Sequence, residues 1–345
     1  MSQKWGILGA GDIAQRNIVP ALAQVEGAEL VAVMNRRLAN AQAFAERNKI
    51  AGAYDSLDAF LAHPQLDAVY VASPNGLHAE HTIAAARAGK HVLCDKPMAL
   101  TEAECERMIE ACERHGVKLG VVFQNRYHPA HIQARRQIEA GVLGEIQYAS
   151  AQLCVGRARG HWKGWRLDPS VAGSGAIVGQ AVHPIDILRF LMDSEVVEVQ
   201  AMTDQQLPDR PVDDMAYALL RFANGAHATV VAGTVVPRSA NDVVLYGSGA
   251  RIVCTSTLGT PPAGARQKLS VEGEGSGLNL DFSSSTSPQR FAAMLDDFGR
   301  CIREKREPAL SGRNGLQMVK IANAVLESSR HGKAVRLSPT DQGTR

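Results

Sequence analysis

Lys4-Trp5-Gly6-Ile7-Leu8-Gly9-Ala10-Gly11-Asp12-Ile13-Ala14 joins a short apolar run to a glycine-bounded turn and then to an amphipathic stretch. Lys4–Leu8 reads as a strand and Ile13–Val25 as a helix. The turn between them has the form G-x-G-x-x-A. Gly9 permits the tight bend, Gly11 lets the backbone come close to a pyrophosphate, and Ala14 lets the helix pack closely on the strand. The first N–H groups of the helix and its positive dipole end complete a phosphate site. The hexapeptide alone is weak; its place after a strand and before a helix makes it specific.

Outward from this turn, short apolar runs alternate with helical patterns. Glu29–Met34, Ala68–Ala72, His91–Leu93 and Lys118–Val122 read as further strands. Leu38–Arg47, Leu77–Ala88 and Glu102–His115 read as helices, the last with a capping box of Thr101 and Glu104. The alternation predicts an α/β N-terminal Rossmann domain over residues 1–125, a doubly wound parallel sheet covered on both faces. Residues 126–345 predict an α+β C-terminal domain with a large, mostly antiparallel open sheet. Its strands are Ile146–Cys154, Val196–Thr203, Met215–Phe222, Ala226–Ala232, Asp242–Tyr246, Arg251–Cys254 and Lys268–Val271. Its helices are Ala130–Ala140, Pro184–Leu191, Gln289–Arg303 and Gly315–His331. Asn224-Gly225 marks a hairpin in which both residues can take φ > 0. Gly259–Gly264 and Gly273–Gly277 read as exposed loops.

Composition narrows the function. Lys+Arg number 37 against 35 Asp+Glu, a formal charge of +2, which gives no field for a nucleic-acid or membrane-surface partner. No apolar run nears the roughly 18 residues that span a bilayer. The N-terminal residues lack a signal-peptide pattern, and the six cysteines form no CxxC pair, so a cytoplasmic protein is expected. No cluster has metal-ligand spacing.

The end of Glu29–Met34 bears on the cofactor. NAD sites place an acidic residue there for the ribose 2′-OH. Here stand Asn35, Arg36 and Arg37, two guanidinium groups and no carboxylate, which suit a 2′-phosphate. NADP is therefore expected, with NAD as the alternative. The cofactor residues read from the sequence are Gly9, Ala10, Gly11, Asp12, Ile13, Ala14, Asn35, Arg36 and Arg37. Ser73, Pro74, Asn75 and His78 follow one strand and Asp95 and Lys96 another, at the carboxyl rim where open parallel sheets bind ligands.

Ser73-Pro74-Asn75 with His78, and Ala88-Gly89-Lys90-His91-Val92-Leu93-Cys94-Asp95-Lys96-Pro97, resemble the signature of the Gfo/Idh/MocA oxidoreductases. The usual Glu-Lys-Pro reads Asp-Lys-Pro here. The resemblance runs along nearly the whole chain, through Arg126 and Pro129, Gly164-Trp165-Arg166, and Ser311-Gly312 to Gly332-Lys333-Ala334-Val335. Within the family it is greatest to a bacterial branch of NADPH-using reductases. It implies a catalytic Lys96 with a cis Lys96–Pro97 bond, and Trp165 and Arg166 along the cofactor. It also implies a catalytic His183, with Arg126, His161 and Gln180 toward the substrate. Where the family carries an Asp four residues before that His, this chain has Gly179. Asp186, three residues past His183, could share its helix face. Arg157, Arg159, His161, Lys163 and Arg166 form a basic stretch with Trp162 and Trp165.

The implied reaction is hydride transfer between nicotinamide and a sugar, polyol or related small carbonyl compound, with Lys96 and His183 handling charge and proton. Two alternatives follow from the same residues. Gly179 would suit a non-catalytic NAD(P)-binding regulator or scaffold. An NAD-dependent inositol-type dehydrogenase is the other, against which Asn35-Arg36-Arg37 and Gly179 speak. The family also implies a homodimer or homotetramer, its second-domain sheets paired face to face.

Overall fold

Apolar strands of three to seven residues need cover on both faces, and in the computed structural model the first sheet receives it. Residues 2–156, 163–207, 211–237, 239–259, 264–273 and 276–338 are described. The N-terminal elements are β1 (Gln3–Leu8), α1 (Val19–Leu22), β2 (Ala28–Met34), α2 (Leu38–Asn48), β3 (Gly52–Tyr54), α3 (Leu57–Leu61), β4 (Ala68–Val71), α4 (His78–Arg87), β5 (His91–Cys94), α5 (Glu102–Arg114) and β6 (Leu119–Val121). The strands run in the order β3-β2-β1-β4-β5-β6 and every pair is parallel. The order reverses between β1 and β4, so the ends of these two strands frame the ligand crevice of a doubly wound sheet. β4 is wholly buried, as the central strand must be. The capping box of Thr101 and Glu104 opens α5.

The chain continues with α6 (Pro129–Glu139), β7 (Ile146–Cys154), α7 (Pro169–Ala172), α8 (Val182–Met192), β8 (Val196–Asp204), β9 (Met215–Phe222), β10 (His227–Gly233), β11 (Val243–Gly247), β12 (Ala250–Thr255), β13 (Lys268–Gly273), β14 (Ser276–Asp281), α9 (Ser287–Glu304), α10 (Gly312–His331) and β15 (Val335–Arg336). The second sheet has nine strands in the order β14-β13-β12-β11-β7-β10-β9-β8-β15, antiparallel except where β10 lies parallel to β7. Alternation along β9 buries Ala216, Ala218, Leu220 and Phe222 and turns Tyr217, Leu219 and Arg221 outward. Met202 on β8 and Leu219 stand 73% and 58% exposed, and Tyr148 stacks on Tyr246 on that open face.

Three local expectations change. Gly273–Gly277 is no simple loop: β13 runs to Gly273, which pairs with Ser276, and Gly277 lies in β14. In the β9–β10 hairpin only Gly225 takes positive φ (90°); Asn224 instead accepts the Ala226 N–H through its side chain. Ile13–Val25 is not one regular helix. Ala14–Ile18 is a widened π turn in which the Val19 N–H reaches back to the Ala14 carbonyl. Pro20 explains it, because a helical proline clashes with the carbonyl four residues back, here that of Arg16 inside the wide turn. The same device recurs at Ile177–Ala181, where Pro184 stands four residues after Gln180.

By contacts the chain divides into two compact units, Met1–Gln124 with Thr286–Val319 and Asn125–Ser285 with Lys320–Arg345. Residues 286–319, placed by linear reading in the second domain, thus join the first. The reason is packing: Phe298 of α9 meets Trp5 of β1 at 5.9 Å between ring centroids and lies over Gly120 of β6, where a Cβ would collide with it. Truncating this buried ring by Phe298→Ala is expected to cost about 3–5 kcal/mol. Urea unfolding followed by tryptophan fluorescence measures it, because Trp5 reports the loss directly.

Candidate active site

Gly9 ends β1 with φ +114°, and its N–H donates to the Met34 carbonyl at the end of β2 (3.0 Å). A Cβ on Gly9 would lie 2.5 Å from the Ala72 carbonyl oxygen and 2.9 Å from the Ser73 nitrogen. The absent side chain is therefore required by the fold, since β1 and the loop after β4 touch backbone to backbone. Gly11 differs. Among the described residues no atom beyond its chain neighbours lies within 4 Å of a Cβ built there, so packing gives no reason for its glycine, whereas a pyrophosphate approaching the backbone would. Gly11, Asp12 and Ile13 are exposed while Ala14 is fully buried against the sheet. The turn fits a dinucleotide. At the end of β2, Asn35 accepts the Arg37 N–H (3.1 Å) and both Arg36 and Arg37 are exposed.

The two loops after β4 and β5 are tied together by α4. His81 holds the Ser73 hydroxyl at 2.8 Å. Burial lowers the pKa of His81; the neighbouring Glu80 opposes that shift and His78 adds to it. His78 is 1% exposed, with Nδ1 2.7 Å from the Pro97 carbonyl and Nε2 2.9 Å from the Ser73 carbonyl. It is buried, with both ring nitrogens engaged by backbone carbonyls. Pro74 and Asn75 remain half-buried at the rim. Lys96–Pro97 is cis. Asp95 accepts the backbone N–H of Lys96 (2.8 Å). Burial raises the Asp95 carboxyl above the usual carboxylate range, against the pull of Lys96 and His78. Lys96 is half-buried beside it.

In the second unit the widened turn carries Gly179 and Gln180, and His183 follows in the first turn of α8, both side chains buried. Among the described residues, a Cβ at Gly179 would meet no atom within 4 Å beyond its own helix backbone and chain neighbours. Asp213 caps this segment, accepting N–H bonds from Gly175 (2.9 Å) and Ile177 (3.0 Å). A Cβ on Gly175 would lie 1.9 Å from the Asp213 carbonyl oxygen, so that glycine lets the cap close. Burial raises the Asp213 carboxyl while the backbone donors draw it down. Nothing in local spacing marks Asp213 or His81, whose partners lie far along the chain or on another loop.

Arg126 gives both arms of its guanidinium to buried Asp186, at 2.9 and 2.6 Å, and stands over the Phe190 ring. Its fork is thereby spent on the protein instead of being turned toward a substrate, and Asp186 serves Arg126. Arg189 lies 3.8 Å from Asp186 and pairs twice with Glu195. The Arg166 guanidinium stacks on Trp165 at 4.7 Å, both half-buried. His161, with Arg157, Arg159 and Trp162, lies outside the described residues. Among the described residues no cluster of His, Cys, Asp or Glu could hold a metal, and no helix is long and apolar enough to cross a membrane.

Two family models match the chain: the oxidoreductase family with an NAD-binding Rossmann fold over residues 3–123, and the GFO/IDH/MocA C-terminal domain over residues 131–253. The chain is 30% identical over 335 residues to 1,5-anhydro-D-fructose reductase of Ensifer adhaerens, covering 97% of this chain and 98% of that protein. It is 29% identical to a D-xylose 1-dehydrogenase (NADP(+)) of Haloferax volcanii, covering 96% and 99%. An aldose-aldose oxidoreductase from Caulobacter crescentus, solved in complex with glycerol, superposes with a TM-score of 0.87 at 29% identity, covering 98% of this chain and all of that one.

The two turn glycines should therefore respond oppositely to alanine. Gly9→Ala meets backbone and an unfavourable φ and should destabilise the fold by more than about 1 kcal/mol. Gly11→Ala should leave stability unchanged or raise it by about 0.4–1 kcal/mol, yet weaken nicotinamide-dinucleotide binding. Thermal unfolding and cofactor fluorescence titration of both variants separate the effects. A Gly11→Ala variant that binds as tightly as the parent would remove the turn from the site. With both halves matched, the chain belongs to the Gfo/Idh/MocA family of oxidoreductases.

Proposed function

We propose that the chain is an NADP(H)-dependent oxidoreductase that transfers a hydride between nicotinamide and a sugar, polyol or related small carbonyl substrate. The carrying observation is the end of β2, where exposed Arg36 and Arg37 follow Asn35 and no carboxylate stands to receive a ribose 2′-OH. The NADP(+) in the name of the Haloferax relative supports the same reading, as do the sugar substrates named for all three relatives.

Bound nicotinamide supplies or accepts the hydride. In the reducing direction the carbonyl carbon gains hydride, and negative charge grows on its oxygen. The Lys96 ammonium stabilises that charge. His183 delivers the proton that completes the alcohol, and takes it back in the oxidising direction. Trp165 and Arg166 flank the cofactor. Gln180 offers the substrate neutral hydrogen bonds where a carboxylate at position 179 would have offered charge. The protein acts as a homodimer or homotetramer, the exposed Met202, Tyr217 and Leu219 face being covered by a second copy.

Replacing Arg36 and Arg37 together by Ala should weaken NADPH binding about 100-fold or more, since each charge-assisted bond is worth about 1.5–3 kcal/mol and two are removed. NADH binding should stay unchanged. Fluorescence titration checks this, and equal losses for both cofactors would overturn the NADP assignment. Lys96→Met should abolish NADPH oxidation across a panel of ketoses and aldosuloses while cofactor binding persists. Turnover at the parent rate in that variant would refute the role of Lys96.

A further inference from the structure

Among the described residues, the ring nitrogens of His78 meet two carbonyl acceptors. Its Nδ1 is 2.7 Å from the Pro97 carbonyl oxygen and its Nε2 is 2.9 Å from the Ser73 carbonyl oxygen, and the ring is 1% exposed. A neutral imidazole has one N–H and one lone pair. Either neutral tautomer would press a nitrogen lone pair against a carbonyl lone pair in a buried place, forfeiting one hydrogen bond and adding repulsion. Turning the ring over does not help. It would bring carbons near the oxygens at similar distances, well inside the 3.3–3.6 Å at which C–H···O contacts sit. Only the imidazolium, a donor at both nitrogens, satisfies this geometry.

A buried cation needs a counter-charge. Asp95 supplies it, and its carboxyl interacts electrostatically with both His78 and Lys96. The ionisable groups that interact with His78 are Asp95 and His81; Asp95 also faces Lys96 and Tyr70, and His81 also faces Glu80. His81, one turn on, has burial against its charged form, and His78 beside it adds to that shift.

We infer that His78 is a buried imidazolium that positions the catalytic lysine: it clasps the carbonyls of Ser73 and Pro97 together, next to the Asp95 carboxyl that holds the Lys96 backbone. The two carbonyls belong to the two rim loops, 24 residues apart in the chain by number, and the clasp joins them directly. Lys96 lies between Asp95 and Pro97, so its backbone is held on one side by the Asp95 carboxylate and on the other by the Pro97 carbonyl. His78 itself touches neither substrate nor cofactor. The charge state is independent of the proposed function; only its effect on Lys96 rests on that reading.

The ring is read without any variant. Long-range ¹⁵N–¹H correlation on the ¹⁵N-labelled, cofactor-free protein at neutral pH should give His78 two protonated ring nitrogens of similar shift, assigned through the side-chain carbons. A single unprotonated nitrogen, with its characteristic downfield shift, would overturn the imidazolium whatever the enzyme does. The positioning role is read in His78→Gln, which keeps one amide donor but no charge. Its kcat should fall about 10- to 100-fold, the range a small misplacement of a reacting group produces, with the NADPH dissociation constant unchanged. Parent-like kcat in a folded His78→Gln protein would overturn the positioning role, and an equal loss in cofactor binding would reassign His78 to the cofactor.

Discussion

The first unit depends on one close approach, that of the backbone at Gly9 to the backbone at Ala72 and Ser73. It places the end of β1 against the end of β4, at the point where strand order reverses and a doubly wound sheet binds its ligand. No side chain fits between them, so the phosphate-facing turn and the Ser73 loop move as one piece of backbone. From Ser73 the connection passes through the ring of His78 to Pro97, and from Pro97 to Lys96. A lysine on a loop has a flexible stem and a strongly hydrated head. Its usefulness in chemistry depends on how firmly its backbone is held, and here three successive loops share that task.

The second unit solves a related problem with other groups. The helix carrying His183 begins in a widened turn relieved of a proline clash at Pro184, and the buried N–H groups of Gly175 and Ile177 near its start are taken by the Asp213 carboxylate. Burying a carboxylate raises its pKa, but the backbone donors of Gly175 and Ile177 pull in the other direction. The approach of that loop is allowed only because Gly175 has no side chain. Arg126 and Asp186 then brace α8 from its other flank with a bidentate, almost fully buried pair. Such a pair contributes little net stability when desolvation is counted, but breaking it leaves a buried charge exposed to nothing.

What the sequence discloses is what local chemistry encodes. The strand, glycine turn and helix near the N-terminus, the alternation of β9, and the capping box of α5 all follow from periodicities of two or 3.6 residues and from the conformational freedom of particular residues. β3 and β15 are too short for any period to register, and β14, Ser-Gly-Leu-Asn-Leu-Asp, is too polar and glycine-interrupted to read as a strand. The membership of α9 in the first unit is a matter of one aromatic ring finding Trp5 across the whole length of the chain. The candidate residues were legible as types at a rim, whereas their duties were not. His78 to Pro97 spans 19 residues, Asp213 to Gly175 spans 38, and Arg126 to Asp186 spans 60. Contacts of that range decide that the His78 ring is engaged by backbone carbonyls and that the Arg126 fork is already taken.

Two kinds of glycine, contrasted by what surrounds them, bear on position 179. Gly9, Gly175 and Gly120 are demanded by neighbours that a Cβ would strike, two of them backbone and one an aromatic ring. At Gly11 and Gly179 a Cβ would meet no such neighbour among the described residues, so packing there does not require glycine. At Gly11 the space is what a dinucleotide needs. At Gly179 the same test separates packing from recognition: the fold would accept a side chain there, so the glycine is no adaptation to a crowded core. The consequence falls on charge. A carboxylate four residues before His183 would add a negative group to a helix start that Asp213 already caps. With glycine there, His183 follows a segment whose capping charge comes from Asp213, on a different loop, and the volume beside that segment is left to whatever enters it.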